Sequence, residues 1–454
     1  MSSENPSKSD KPGEEYEHSV APDLRRLRAR AMQDWSEESL LFLPAIMLAS
    51  TIAIALLLAE LDSRLSRDLR LSFAFPPGVA STLLSTIAGA TITTAGVVFS
   101  LLVVSLQLAS GQFSPRVLRS YWRDRFSKVL VGLLLSTFAF CVIALARIDP
   151  DAEQAPTLTM LAALVLTLAS VVAIVVYLDR VSRQQYVGRI LQRVVAETLT
   201  LIKDLPHGKR IGARLGEPVP PPDPAGLGPA LVVRAPADGW VQQVSYHAIV
   251  NAVPPGSVVR LDTRVGAYLV RNEPLATIWP VPPVADHAVI GRLIGEAVVI
   301  GPARSMQQDI DFGLRQLNDI GLKALSPAVN DATTAIEVIV RLGSVMRPLL
   351  LADLPPQSVR DPHDRILLTP WELNHREYVR HAFDQLRVYT AEHPQIQVAL
   401  VRTLRMLKDA CAGVPGREPA RVELDHQLAL VLEACGKAGH TAADQARVEA
   451  AARG

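Results

Sequence analysis

Apolar residues are concentrated in four long stretches in the first part of the chain, and charged residues dominate elsewhere. A helix needs about 20 apolar residues to cross the hydrocarbon core of a bilayer. Each stretch is nearly free of charge over such a length, which a buried helix of a soluble protein rarely sustains. We therefore predict membrane-spanning helices at Leu40–Ala59, Val79–Leu108, Val129–Ala146 and Leu158–Leu178.

The arginines and lysines that flank these spans predict the orientation, because positively charged loops stay in the cytoplasm. They are most frequent before the first span, between the second and third, and after the fourth. Both termini should therefore be cytoplasmic. The arginine cluster after the first span is the exception, but it has fewer positive charges than the segments on the predicted cytoplasmic side. That cluster is Arg64, Arg67 and Arg70; the others include Arg25, Arg26, Arg28, Arg30, Arg116, Arg119, Arg123, Arg125, Lys128, Arg180, Arg183, Arg189 and Arg193.

The second span carries small and hydroxyl residues at steps of three or four, which places them on one helical face. One interpretation is a packing seam, because small residues let helices approach closely. The other is that this face lines a polar path through an oligomer. No ionisable residue lies in mid-span, which argues against a proton relay. The helix is longer than the membrane needs and should end near Ser114-Pro115. The face comprises Ser81, Ser85, Gly89, Thr93, Gly96 and Ser100.

The region after the spans predicts a mixed α+β cytoplasmic part. The short apolar runs of Leu231–Trp279 predict strands, and the phrases at 235–241 (APADGWV) and 266–275 (GAYLVRNEPL) resemble the small barrel of biotinyl and lipoyl carrier domains. The resemblance predicts a barrel-like shape only, because the carriers modify a lysine and none lies between Lys209 and Lys323.

A helical part should follow this β module. Residues 305–342 are predicted to be helical with a break at 325–327, and Asn330 or Asp331 should cap a helix that starts near Ala332. The loop is either a capped break between two helices or a place where exposed amides and threonine hydroxyls meet an anion or a neighbouring subunit. Its candidate residues are Ser326, Pro327, Asn330, Asp331, Thr333 and Thr334; further helices are predicted at Arg376–His393, Ile396–Ala412 and Arg421–Gly436.

The predicted domains follow from these patterns. They are a disordered basic tail (1–34), a four-helix membrane domain (35–183), a connecting helix with a proline-rich linker (184–229), the small β-barrel-like module (230–282), a helical cytoplasmic domain (283–437) and a frayed tail (438–454).

Several phrases resemble the bacterial membrane proteins grouped as domain of unknown function 2254. They are GVVFSL at 96–101, QFSPRVL at 112–118, QDIDFGLRQL at 308–317 and ALSPAVNDATTAI at 324–336. The resemblance covers about residues 35 to 400 and implies the same four-span layout, in the inner (plasma) membrane of a bacterium. The family's usual loop has proline after Asn-Asp, where this chain has Ala332. The family name implies no activity.

Signatures of enzymes and metal sites are scarce. The chain has no Walker-type loop, nucleophile elbow or HExxH motif. Its ExxH pairs (Glu15/His18, Glu372/His375, Glu423/His426) lack further carboxylates to complete a di-iron site. Asp309 and Asp311 would face different sides of a helix and favour solvated or ion-paired roles. We expect no enzyme, cofactor or metal.

The net charge of +1 and the absence of a basic stripe argue against nucleic acid. The spans and the large soluble part favour an oligomeric ion channel or transport protein with a cytoplasmic regulatory region. Its partners would be the lipid bilayer, further copies of the chain and a small ion. The alternative is a non-conducting membrane-anchored scaffold or sensor whose cytoplasmic domains bind a partner or ligand.

Overall fold

The computed structural model describes residues 14–39, 41–65, 75–112, 125–151, 154–184, 187–205 and 215–453. The chain divides into two compact units, each described by itself below. The membrane unit is Met32–Arg189, and the soluble unit combines Met1–Ala31 with Ile190–Gly454. The predicted helix end near Ser114-Pro115 and most of the QFSPRVL phrase lie outside the described residues.

The elements are numbered along the described chain. The helices are α1 (Glu14–Glu38), α2 (Phe42–Leu65), α3 (Pro77–Gln112), α4 (Arg125–Leu145), α5 (Thr157–Gln184), α6 (Val187–Asp204), α7 (Tyr246–Asn251), α8 (His287–Glu296), α9 (Ile310–Ala324), α10 (Ala332–Leu351), α11 (His375–Tyr389), α12 (Pro394–Ala410), α13 (Glu418–Lys437) and α14 (Ala442–Arg453). The strands are β1 (Glu217–Pro218), β2 (Leu231–Arg234), β3 (Gly239–Val244), β4 (Val258–Leu261), β5 (Tyr268–Leu269), β6 (Pro274–Trp279), β7 (Val298–Gly301), β8 (Ser358–Arg360) and β9 (Ile366–Leu368).

Helices α2 to α5 confirm the predicted spans. Among the described residues, these four are long and apolar enough to cross a membrane. Helix α3 has 36 residues, which at about 1.5 Å per residue exceeds the hydrocarbon thickness, as predicted.

Helix α4 is the centre of the membrane unit. Half of its most apolar window is buried, against 11–22% for the other three spans. Gly132 allows the close approach of α2, because an added methyl group would lie 2.7 Å from Met47 Sδ and 3.1 Å from Pro44 Cα. The Thr137 and Ser170 hydroxyls, 3.1 Å apart, hydrogen-bond α4 to α5. The bundle therefore packs α2, α3 and α5 around α4.

A buried acid at the end of α2 caps the start of α5. Asp62 is 8% exposed. Its carboxylate accepts hydrogen bonds from the backbone N–H groups of Leu158 (3.1 Å) and Thr159 (2.9 Å) and from the Thr159 hydroxyl (2.6 Å). These N–H groups have no partner within the first turn of a helix, so Asp62 supplies the cap from another helix.

The N-terminal segment differs from the predicted disordered tail, because it is helical from Glu14. Val20 and Leu24 are buried in the core of the soluble unit. Arg28 pairs with Glu296 of α8 at 3.0 Å. The apolar stripe of α1 is short, and the sequence around it is rich in charge. A helix is favoured here because α1 packs against the core of the soluble unit, whose residues are distant in the sequence.

The strands of the soluble unit form two open sheets rather than the predicted barrel-like module. One sheet has the order β1-β8-β9-β4-β6-β2 and the other β5-β3-β7. The described pairs are antiparallel except β4 with β9, which runs parallel from Val258 opposite Ile366. Strands β1, β7, β8 and β9 lie outside residues 230–282. The local alternation of apolar residues cannot reveal such distant partners. The two carrier-like phrases do pair, with Trp240 opposite Tyr268.

Helices α9 to α13 form the predicted helical part. The helices expected at 376–393, 396–412 and 421–436 correspond to α11, α12 and α13 with ends shifted by a few residues. The break between α9 and α10 falls where it was expected. The tail differs, because residues 442–453 form helix α14, whose Val448 is fully buried.

Candidate functional site

The predicted face of the second span lies on the surface of the membrane unit. Five of its six residues are exposed and the sixth, Ser81, is partly buried. A methyl group added at Gly89 or Gly96 would meet no atom within 4 Å outside its own helix. The exposed residues are Ser85, Gly89, Thr93, Gly96 and Ser100.

The opposite side of α3 makes the contacts with α4. Its buried residues are mostly alanine, leucine and valine, and they pack against apolar residues of α4 such as Phe140 and Leu130. Small residues on the exposed face are therefore not explained by packing within the chain. The buried α3 residues are Ala80, Leu84, Ala88, Thr91, Ala95 and Val98.

The exposed face of α5 provides a comparison within the same unit. Five of its exposed residues are large and aliphatic, as expected where a helix meets lipid tails: Leu161, Val165, Leu168, Val172 and Val175. The exposed surface of α3 also carries large residues such as Ile92, Val97 and Phe99, but its strip from Ser85 to Ser100 carries glycine, serine and threonine. Small residues of this kind are enriched where membrane helices contact each other.

The hydroxyl groups of this face are satisfied by their own helix. Ser85, Thr93 and Ser100 donate to the carbonyl oxygens of Thr82 (3.0 Å), Gly89 (2.8 Å) and Gly96 (2.9 Å). Such bonds to preceding turns are typical of serine and threonine in helices. The face can therefore meet hydrocarbon or another helix without an unpaired donor, and each hydroxyl oxygen still has lone pairs with which to accept a bond.

The loop between α9 and α10 is a capped break. Asp331 accepts from Thr334 N (3.0 Å) and the Thr334 hydroxyl (2.6 Å), which confirms the predicted cap. Asn330 adopts a positive φ of 48°. These bonds from Thr334 hold the pKa of Asp331 below its usual value. A carboxylate thus already occupies the start of α10, which disfavours an anion there. Pro327, Asn330 and Thr333 are exposed, and Ser326 is partly buried.

Asp309 and Asp311 belong to a buried ionic cluster, which confirms their predicted ion-paired role. Arg304 bonds Asp309 with two nitrogens, both at 2.8 Å, and Asp311 at 2.9 Å. His381 of α11 lies 2.7 Å from Asp311. The two acids were expected on different sides of a helix. They meet one arginine because Asp309 is the N-cap of α9, with a non-helical backbone, and its carboxylate also accepts from Phe312 N at 2.9 Å.

The pKa of Asp311 lies below its usual range. Burial alone would raise it, but the hydrogen bond from His381 and the charge of Arg304 outweigh that effect. The Arg304 guanidinium also lies 5.9 Å from the ring centre of Trp240 and 5.2 Å from that of Phe312. The cluster therefore joins β3 to α9 and α11, and its only local signal in the sequence is the QDIDFG phrase.

The ExxH pairs are engaged in other interactions. Glu372 accepts from the Tyr246 hydroxyl at 2.7 Å, and His375 contacts the carbonyl oxygen of Ala352 at 3.0 Å. Glu423 pairs with Arg376 at 3.0 Å. In the part of the chain that the structure describes, no group of three or more His, Cys, Asp or Glu side chains is arranged to hold a metal ion.

The family phrase QDIDFGLRQL has a packing role in addition to this cluster. A methyl group added at Gly313 would lie 2.1 Å from Thr198 Oγ1 of α6. Thr198 is fully buried, and its hydroxyl donates to the carbonyl oxygen of Val194 at 2.7 Å. Gly313 thus lets α9 touch the helix that follows the last span.

Comparison with known families supports the resemblance seen in the sequence. The family model described as "Predicted membrane protein (DUF2254)" matches residues 37–406. The chain belongs to this family. Its relatives include an uncharacterized protein of Mycobacterium bovis and uncharacterized proteins of two Mycobacterium tuberculosis strains. Each is 31% identical over 444 residues, which is 96% of this chain and 84% of the relative. No solved structure matches.

Proposed function

We propose that the protein is an oligomeric ion channel or transport protein in which the small-residue face of α3 lines the path. The observation that carries the proposal is that Ser85, Gly89, Thr93 and Gly96 form an exposed strip in the middle of a span, whereas the exposed residues of α5 are mostly large and aliphatic. A helix face of small hydroxyl residues costs free energy in lipid only where its hydrogen-bond donors are unpaired. The same face gains contacts when it meets another helix or water.

An oligomer is required for such a path. Helices α2, α3 and α5 surround α4, and the face of α3 points away from α4, so one chain does not enclose it. Further copies would have to supply the other walls. Because α3 has no ionisable residue among Val79–Ser105, the path would suit a small ion rather than a proton relay.

The topology of the soluble unit supports a cytoplasmic regulatory role. Helix α1 precedes the first span, and residues from Ile190 follow the fourth, yet both belong to one compact unit. Membership in one compact unit supports a location of both segments on the same side of the membrane. The arginine-rich flanks favour the cytoplasmic side of a bacterial inner membrane. A ligand or partner bound to this unit would act on the two segments that connect to the first and the last span.

The test is ion flux through the purified protein in liposomes, with anion and cation gradients measured separately. Thr93→Leu and Gly96→Leu should each abolish flux by filling the path. Val97→Leu is the matched control, because Val97 is 55% exposed on the neighbouring surface of the same helix. Absence of flux from folded, oligomeric wild-type protein, or unchanged flux in both variants, would refute the proposal.

A non-conducting scaffold or sensor is the second candidate. It is favoured by the hydroxyl groups of Ser85, Thr93 and Ser100, which are satisfied within α3 and need no water. In this case the face is a helix–helix contact between copies. Thr93→Leu and Gly96→Leu should then weaken the oligomer without changing permeability, which the same preparations measure by chemical crosslinking and flux.

A further inference from the structure

A large cavity in the soluble unit lies beside the proline-rich segment that the sequence marks as a linker. Its volume is about 920 Å³, within the usual range for small-molecule sites. Its lining includes Pro218–Pro224 from this segment and Pro356, Pro370 and Trp371 from later in the chain. Arg260, Gln357 and Ser358 supply polar groups to the lining.

The linker is built into the domain instead of separating two domains. Strand β1 pairs with β8, with Pro218 opposite Val359. The Asp223 side chain accepts from Ala225 N at 3.0 Å and caps a single turn of 3₁₀ helix. Val219 and Leu227 pack against a buried cluster that includes Trp279. Proline fixes the backbone φ, so this part of the lining is rigid and the cavity is formed in advance.

The lining is chiefly apolar, with the planar aromatic surface of Trp371, one cation, Arg260, and one anion, Asp223, whose carboxylate is engaged by Ala225 N. Trp371 is 59% exposed although it is large and apolar. The Arg260 guanidinium lies 5.3 Å from the ring centre of Trp279, and its Nε donates to Asp262 at 2.6 Å. Its Nη2 is 3.5 Å from Thr277 Oγ1. The ion pair with Asp262 fixes the orientation of the guanidinium and offsets part of its charge. The Nη1 of Arg260 has no hydrogen bond to any described residue and is left for a ligand. A guanidinium held in this way matches the geometry of a carboxylate.

A buried hydroxyl without a partner adds an independent observation. Ser358 lines the cavity and is 6% exposed, and its Oγ has no hydrogen-bond partner among the described residues. Buried polar groups are nearly always paired in proteins. A polar group of a bound molecule, or a water that it carries, would supply the missing bond after a small movement of the lining.

We propose that this cavity binds a small planar aromatic carboxylate, whose ring packs against Trp371 and the prolines and whose anionic group pairs with Arg260. The proposal does not depend on ion conduction, because binding to the soluble unit and flux through the spans are measured separately.

The test uses 2-naphthoate as the probe and the full chain in lipid nanodiscs, with binding measured by equilibrium dialysis and empty nanodiscs subtracted. Wild-type protein should bind saturably. Trp371→Ala should weaken binding about tenfold, as expected for the loss of one aromatic contact. Tyr389→Ala is the matched control, because Tyr389 is also 59% exposed but does not line the cavity, and it should leave binding unchanged.

The role of the charge is tested with the uncharged probe 2-naphthamide. It should bind wild-type protein more weakly than 2-naphthoate, and Arg260→Gln should remove that difference. Trp371→Phe keeps an aromatic ring and serves if the alanine variant unfolds; it should retain most of the binding. No saturable binding above empty nanodiscs, or equal binding by wild type, Trp371→Ala and Trp371→Phe, overturns the proposal. If decaproline binds in a way that depends on Trp371 and 2-naphthoate does not bind, the cavity is instead a groove for proline-rich peptides, and the proposal is overturned.

Discussion

The contact between α6 and α9 gives a sharp prediction for Gly313→Ala. The added methyl group would lie 2.1 Å from Thr198 Oγ1 and 2.9 Å from its Cγ2, far inside van der Waals contact. Thr198 cannot turn aside freely, because it is fully buried and its hydroxyl is bonded to the preceding turn of α6. The two helices must therefore separate.

Two opposing effects set the size of the change in the free energy of unfolding. Alanine in the interior of a helix is about 1 kcal/mol more favourable than glycine. Overpacking in a close-packed interior costs about 1–3 kcal/mol. A contact this short should cost an amount near the upper end of that range. After the gain in helix propensity is subtracted, the free energy of unfolding falls by about 1–2 kcal/mol. For a unit of this size that lowers the melting temperature by about 2–8 °C.

The assay is thermal unfolding of the full chain in nanodiscs, followed by circular dichroism. Gly291→Ala in α8 is the matched control, because an added methyl group there meets no atom within 4 Å outside the helix. It should raise stability by about 0.5–1 kcal/mol from helix propensity alone. Adding Thr198→Ala to Gly313→Ala should recover part of the loss, since it removes the clashing atoms. If Gly313→Ala is as stabilising as Gly291→Ala, the close contact of α6 with α9 does not exist.

Three further predictions concern other contacts. Asp62→Ala should lower the stability of the membrane unit by about 1–2 kcal/mol, because the start of α5 loses its cap; Asp62→Asn, which keeps one acceptor for the Thr159 amide, should lose less in the same denaturation assay. Glu372→Gln should stabilise the protein at about pH 8 but not at about pH 4. Burial raises the pKa of Glu372 above its usual 4.5 despite the Tyr246 hydrogen bond, so the cost of ionising it in the folded state appears only as the pH rises. Gly132→Leu should prevent folding of the bundle, whereas Gly96→Leu should not, as judged by monodispersity in detergent.

The membrane part of the fold was predictable because it depends on local composition. Long apolar runs are selected by the bilayer itself, so hydropathy alone gives α2 to α5. The position of each helix in the bundle was not predictable. Nothing in the run around Gly132 indicates that α4 is central, since its neighbours are as apolar as those of the other spans. The repeating small residues of α3 are compatible with a packing seam, yet the contacts of α3 within the chain are made by its opposite, more apolar side.

The soluble part was predictable only where its signals are local. Asp331 was identified as a cap because a cap and its helix are adjacent in the sequence. The cluster of Arg304 and Asp311 with His381 joins residues up to 77 positions apart, and neither spacing nor periodicity indicates such a partner. The same holds for β1 and β8, whose pairing turns a predicted linker into part of the lining of a cavity.

The exposure of the small-residue face of α3 restricts the possible functions more than its residue types alone do. A packing seam between helices of one chain would have explained Gly89 and Gly96, but neither touches another described helix of the membrane unit. Contact with lipid alone does not explain them, because the exposed face of α5 shows that this protein presents large aliphatic residues to that environment. Contact with another copy of α3, or with water in a path between copies, accounts for both observations. Both proposed functions consequently require self-association, and a protein that stays monomeric in lipid at all concentrations would exclude the channel and the scaffold together.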